Sequence, residues 1–378
     1  MLRTAVGSVF ILLLLCVNSS AQSVAHRRSA KLGIGMNLSY LENWWLGTKE
    51  NKYSDFAKAA DVGKREAMFR DIAGAGFRTV RVPINFGAWA TIKPPFKWSN
   101  EAPLSYADQS VKWALDNGLN VIVDLHHVEL DGSIEGTATT DRVEWLWREV
   151  ATRYKNTDPE RVLFELRNEP HDIKPEVWRE QAERIITTVR SIVPEHTLVV
   201  GFHDWNSRNA MIESKPFADR NIIYTFHYYD PFVFTHQGAT WSSKGLPELQ
   251  SVPFPANGRE ISVPATAKGT WVEAQIRSFG TDSSADKMYS DLKAAKDWSV
   301  KNGVPIFLGE FGSYGKYPTM EDRCRHAQTV YTALGKLDIP NAWWEWDGGF
   351  NMFAKGTVRI AGCMQEAIDA YNQHRSRK

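Results

Sequence analysis

Cysteine is scarce in this chain, three in 378 residues. That count excludes a small scaffold stapled by disulfides. A charge excess is equally absent. Lys and Arg number 45 against 44 Asp and Glu, so no basic field points to nucleic acid or another polyanion, and the 43% hydrophobic content does not suit a disordered chain. No segment beyond the N-terminus is long and apolar enough to attempt a bilayer. There is also no Pro/Ser-rich linker long enough to separate a pair of domains.

The N-terminus has a different character. Arg3 precedes an apolar run over 9–17, and small or polar residues follow over 18–23, the order of a secretory leader. Residues 1–22 are therefore read as a signal peptide and set aside. The remainder is expected to be secreted, extracellular or periplasmic, with no membrane anchor once the leader is removed. Cys16 lies within the leader, and Leu15 before it is too large for the small position expected before a lipid-modified cysteine. Cys324 and Cys363 remain; in an exported chain they are either one disulfide or two buried thiols, and the sequence leaves both open.

Aromatic residues are plentiful: 15 Trp, 12 Tyr and 18 Phe. Most belong in a packed core, yet this many indoles exceed what a core of this size ordinarily asks for. A flat apolar ring with a polar edge is what a pyranose face stacks on, so a sugar-binding groove is the sharper reading.

Short β-branched or apolar runs recur at 32–38, 79–84, 120–126, 162–169, 197–202, 222–229, 305–311 and 342–347. Amphipathic stretches at 64–75, 106–117, 142–154, 175–192, 285–302 and 322–336 separate them. Gly76, Gly118 and Gly303 each close a helical stretch just before a strand, a repeated stop-and-start device. Strand and helix in alternation predict an α/β fold, a single-domain (β/α)8 TIM barrel over 23–378. Its least regular region, 235–271, is rich in Gly, Pro and Ser and reads as a long loop excursion after the sixth strand.

In such a barrel the C-terminal strand ends meet at one mouth. Those ends carry Asn37; Arg81; Asp124, His126 and His127; Asn168 and Glu169; His227 and Tyr229; Glu310; and Trp344, Glu345 and Trp346. A lone His or Glu there is ordinarily structural. The convergence of two carboxylates with a fixed cation, imidazoles and a phenol suits glycoside hydrolysis instead. There one carboxyl protonates the leaving oxygen and the other attacks the anomeric carbon.

The segments Leu163-Phe164-Glu165-Leu166-Arg167-Asn168-Glu169-Pro170, His227-Tyr228-Tyr229-Asp230-Pro231 and Phe307-Leu308-Gly309-Glu310-Phe311-Gly312 resemble glycoside hydrolase family 5, and the likeness runs from Asn37 to about Phe350. The resemblance implies Glu169 as acid/base and Glu310 as nucleophile, with carboxyls about 5 to 5.5 Å apart. It implies Asn168 on the sugar 2-hydroxyl, Arg81 and Tyr229 holding Glu310 ionised with a low pKa, His227 toward Glu169, and His126 toward the sugar above a Trp344 floor. His127, Asn37, Trp45, Trp205 and Trp241 are further candidates for substrate contact, as is Trp44. Asn168 and Glu169 are adjacent, so both can face the site only if the strand bulges or ends before Pro170. Arg167 departs from the usual uncharged residue and is expected in a buried ion pair with Glu165. Glu345 is not used by the family pattern.

The family acts on cellulose and mixed-linkage glucans, mannans, xyloglucan and occasionally xylan. The run from His227 to Phe232, continuing to Gly238, looks most like members acting on β-1,4-glucan, so an endo-acting glucanase working as a monomer is expected. A mannanase or xyloglucanase is the alternative, and a non-catalytic carbohydrate-binding protein the alternative outside the enzymes. The mechanism requires no cofactor or metal. A metal set of Asp124, His126 and His127 is disfavoured because adjacent histidines face opposite sides of a strand.

Overall fold

The computed structural model describes residues 23–42, 59–99, 101–128 and 137–376. The leader at 1–22, with Cys16, and both Trp44 and Trp45 lie outside the described residues. Strands β1 (Ile34–Asn37), β2 (Thr79–Ile84), β3 (Asn120–Leu125), β4 (Val162–Glu165), β5 (Leu198–Val200), β6 (Ile222–His227), β7 (Ile306–Phe311) and β8 (Asn341–Trp343) close in sequence order into one parallel barrel. β1 pairs with both β2 and β8. Helices surround it in the expected alternation, among them Leu104–Asp116, Thr137–Tyr154, Pro175–Arg190 and Ala285–Asn302. Gly76, Gly118 and Gly303 all take positive φ at the helix ends, as the stop-and-start device requires.

Barrel strands are covered on both faces, so β2 reads Thr-Val-Arg-Val-Pro-Ile and is buried at every position. Alternation then sorts the side chains. Val80, Val82, Val121, Val123 and Phe164 join the large core between strands and helices. Inside the barrel, Ile122, Leu163, Val199, Ile223, Phe307 and Ala342 form a separate apolar plug, closed from beneath by Ala25 and Leu32 of helix Val24–Leu32. Two positions further along β3 and β4 the same alternation yields Asp124 and Glu165. With Asn37, Arg81 and Thr225, all fully buried, they make a polar layer above the plug.

Most predicted strands run past the observed ends, β4 and β8 furthest. β4 stops at Glu165 rather than 169, and β8 at Trp343 rather than 347. At the mouth the chain leaves the ladder, which frees consecutive residues from alternation and lets Asn168 and Glu169 turn to one side. A second irregularity was not anticipated. Phe226 pairs with Leu308 but His227 with Glu310, so Gly309 is an extra residue in β7. A Cβ there would lie 2.6 Å from Thr225 Oγ1, which leaves glycine as the residue that fits.

The excursion over 235–271 is more ordered than its composition suggests. It contains short 3-10 turns at Leu246–Glu248 and Ala265–Ala267 and ends at Thr270, whose hydroxyl caps the helix Trp271–Asp282. Gln237, fully buried, donates to the carbonyls of Phe234 and Val252 and accepts from Val252 N–H. Phe254 N–H donates to Asp322, and Ala256 N–H to Ser283. Leu246, Leu249, Val252 and Phe254 are buried beneath. Of the two states open to the late cysteines, the bonded one is found: Cys324–Cys363 ties helix Met320–Leu337 to Gly362–Arg375, with Cα atoms 5.7 Å apart.

Candidate active site

Arg81 is the hub. Its guanidinium is fully buried and its donors go in fixed directions. Nε and Nη2 grip Glu165 at 2.7 and 2.9 Å, Nη1 reaches Glu310 Oε1 at 2.7 Å and Asn37 Oδ1 at 2.9 Å, and Nη2 also meets Asn168 Oδ1 at 2.7 Å and Asp124 Oδ2 at 3.0 Å. The planar fork suits this task in a way a lysine would not. Three carboxylates share one cation, and their field raises the Arg81 pKa well above its ordinary value against the opposing effect of burial.

Glu310 receives a second donor, the Tyr229 hydroxyl at 2.9 Å to Oε2. Tyr229 is anchored by Thr235, whose hydroxyl donates to its carbonyl at 2.6 Å. Burial nevertheless pushes Glu310 above its usual carboxylate range, with His227, Arg81 and Tyr229 pulling it back. The expected low pKa is therefore corrected. Burial outweighs the pull of His227, Arg81 and Tyr229.

Glu169 stands a quarter exposed at the mouth, 2.6 Å from His227 Nδ1. Burial raises it to about 7, partly offset by Arg81, His171 and His127. His227 is lowered to about 4, chiefly by burial, so it is neutral near pH 7. Its Nδ1 also lies 3.6 Å from Glu310 Oε2. One oxygen of Glu169, one of Glu310 and a His227 nitrogen all fall within 4.8 Å of one another. The two acids thus face a common space with the imidazole between them.

Asn168 is almost fully buried, and Arg81 fixes its amide: Oδ1 accepts, so Nδ2 is the end left to donate toward a ligand. His126 bonds Asp124 Oδ2 through Nδ1 at 2.6 Å and lies parallel to Trp344, with centroids 5.6 Å apart and planes inclined by 14°. His127 sits alongside, its Nε2 3.3 Å from Glu42 Oε1. Trp205 is 54% and Trp241 58% exposed. The Trp205 ring stacks on His171 at 3.7 Å, and Trp241 meets Tyr314 edge-on at 4.8 Å.

Three expectations are corrected here. Asn37 is not placed to touch substrate: its side chain is fully buried and donates to the carbonyls of Gly309 and Trp343 at 3.0 and 3.2 Å while accepting from Arg81. Arg167 does not take Glu165, whose oxygens are gripped by Arg81; its guanidinium lies 5.9 Å from the Trp178 ring centre in the helix layer. The alternation ground for separating His126 from His127 also fails, because β3 ends at Leu125. Sequence reasoning missed Glu42 and His171, which follow β1 and β4 at the mouth and could have been found by extending the strand-end rule a few residues. It had set Glu345 aside. That carboxyl is buried, accepts from Ser39 Oγ and is raised to about 7, chiefly by burial.

A parallel barrel carrying two carboxyls this close at its C-terminal mouth has the architecture of the barrel glycoside hydrolases. The family model for cellulase, glycosyl hydrolase family 5, matches residues 36–349, and the chain belongs to that family. It is 27% identical to Endoglucanase 3 of Fibrobacter succinogenes over 83% of this chain and 50% of that protein. It is 30% identical to Endoglucanase H of Acetivibrio thermocellus over 74% of this chain and 26% of that one. The chain therefore spans only a half and about a quarter of these two relatives. Cel5A of Thermotoga maritima, solved in complex with cellobiose, superimposes with a TM-score of 0.72 at 28% identity, over 91% of this chain and 99% of that one. The same protein has been solved with mannotriose, at a TM-score of 0.71, 29% identity and the same coverage of both chains.

Proposed function

We propose that this chain is a secreted, endo-acting β-1,4-glucan hydrolase that works with retention of configuration, in one catalytic domain over residues 23–378. The observation that carries the reading is the shared space between Glu169 and Glu310, with oxygens and the His227 nitrogen within 4.8 Å. An inverting pair stands about 6.5–9.5 Å apart to admit a water between acid and base, whereas a retaining pair stands about 5–5.5 Å apart.

Glu310, aimed by Arg81 and Tyr229, attacks the anomeric carbon as its bond to the leaving oxygen breaks. Glu169, still protonated near neutrality, gives its proton to that oxygen. In the second half Glu169, now ionised, takes a proton from water, which attacks the same carbon and releases Glu310. Asn168 Nδ2 donates to the 2-hydroxyl, and Trp344 with His126 forms the floor under the ring. The leader at 1–22 supports export. The glucan preference follows the endoglucanase relatives. Mannan is the second reading, because the Thermotoga maritima protein binds mannotriose as well as cellobiose.

The test is reducing-end release from carboxymethyl-cellulose, barley β-glucan, mannan, xyloglucan and xylan by the chain without its leader, beside Glu310→Ala. Highest activity on the two glucans, with loss of several orders of magnitude in the variant, is the expected result. Parental activity in Glu310→Ala would overturn the site assignment. Binding without turnover on any polymer would leave a carbohydrate-binding protein.

A further inference from the structure

Glu42, His126 and His127 form a cluster that hydrolysis does not require as a unit. Beyond the end of β3 the two imidazoles stand edge-on, 4.6 Å between centroids, and both turn Nε2 toward the same oxygen. His127 Nε2 is 3.3 Å and His126 Nε2 3.8 Å from Glu42 Oε1, and the set lies within 4.8 Å throughout. Bonds of about 2.0–2.1 Å at tetrahedral angles place the ligand atoms of a zinc ion about 3.3–3.4 Å apart. The two distances to Glu42, 3.3 and 3.8 Å, lie at or near that spacing, and small side-chain shifts would bring the three atoms around a common point.

The surroundings point the same way. Asp124 Oδ2 lies 2.6 Å from His126 Nδ1; with that nitrogen donating to it, the Nε2 lone pair is the one directed at the cluster. A carboxylate behind a histidine is the arrangement that orients metal-ligating imidazoles. Arg81 fixes that carboxylate in turn. The His127 and Glu42 side chains are 26% and 16% exposed, so the cluster opens to the cleft, where a water can complete four-coordination.

We propose that Glu42, His126 and His127 bind a divalent transition cation of the Zn2+ or Cu2+ class, with water as the fourth ligand. Because His126 stacks on Trp344, the cation occupies the volume above the sugar floor and competes with substrate. Binding stands apart from the glucanase reading, while the competition rests on it.

Calorimetric titration of the leaderless protein with zinc chloride in chelator-free buffer tests the binding. One saturable site is expected, weakened about tenfold or more in Glu42→Gln and in His127→Gln and kept in Glu310→Gln, with thermal midpoints showing each variant folded. Cobalt(II) on the parent chain should give the intense visible bands of a tetrahedral ion, a readout that needs no variant. Absence of saturable zinc binding at millimolar metal would overturn the proposal, as would a pale octahedral cobalt spectrum. So would binding that survives Glu42→Gln but disappears in Glu310→Gln, since it would then belong to Glu169, His227 and Glu310. Zinc that binds as expected yet leaves KM for glucan unchanged would overturn the competition alone.

Discussion

Two glutamates of identical chemistry are separated by their neighbours. Glu310 has a guanidinium and a phenol to hold its charge, while Glu169 has a neutral imidazole beside it and is raised to about 7 by burial. In the proposed mechanism Glu169 must carry the proton, so kcat/KM is expected to fall as pH rises through about 7. Because Glu310 lies above its ordinary value of 4.5, the acid limb should sit higher than for a solvated carboxylate. A pH–rate profile of parent and Glu169→Gln checks this: the variant should lose about 10²- to 10⁴-fold on substrates with poor leaving groups and lack the alkaline limb. Arg81→Met should cost about 3–5 kcal/mol in a denaturant titration, because it strands Asp124, Glu165 and Glu310 in the barrel without their cation. Glu169 and Glu310 were legible in the sequence as candidates because short motifs carry them. Their relative proton affinities were not, since the burial of each acid and the charged groups that face it are set only once distant strands lie side by side.

Elements at the mouth are shaped by departures from regularity. β4 ends early, so Asn168 and Glu169 face one way, and the extra Gly309 in β7 brings Glu310 into register with His227. The first was foreseeable from adjacency before Pro170. The second was hidden, because a lone Gly in a strand has several explanations and only the packing of Thr225 against it selects one. Gly309→Ala should cost about 1–3 kcal/mol through overpacking, and Thr225→Ala should restore much of that loss in a double-mutant cycle read by thermal unfolding. The excursion was expected to be irregular from its composition, but the buried Gln237 that pins it has no local sequence signal. Because it is pinned, its exposed Trp241 is a fixed platform. Trp241→Ala should raise KM for long glucans several-fold, up to about tenfold for a stacking contact of about 1 kcal/mol, with cellotriose turnover changed less.

At the scale of the molecule, the apolar plug closes the bottom of the barrel and the polar layer above it presents charge to the mouth. That gradient follows from alternation along eight short strands. The Cys324–Cys363 bond clamps the last two long helices across 39 residues of sequence. In the chain-entropy account a loop of this length is worth about 4 kcal/mol, and engineered cases deliver less. Cys363→Ser, or reduction under native conditions, should therefore lower unfolding free energy by about 2–4 kcal/mol. Glucan turnover at 25 °C should be unchanged, because the bond lies between outer helices and touches none of the groups around Glu169 and Glu310.

The sequence by itself determined the alternation of strands and helices, hence the barrel, and the residues at its strand ends, hence the two carboxylates and their family. Those are local properties: apolar periodicity, glycine caps and contiguous motifs such as Asn168-Glu169-Pro170. Only the tertiary structure decided that Asn37 holds Arg81 instead of a sugar, that Glu165 pairs with Arg81 and not with Arg167, and that His126, His127 and Glu42 converge. Each of those outcomes depends on distances between strands and loops far apart in the chain. Side-chain alternation, the one geometric rule available beforehand, stops applying where the strands end and the site begins.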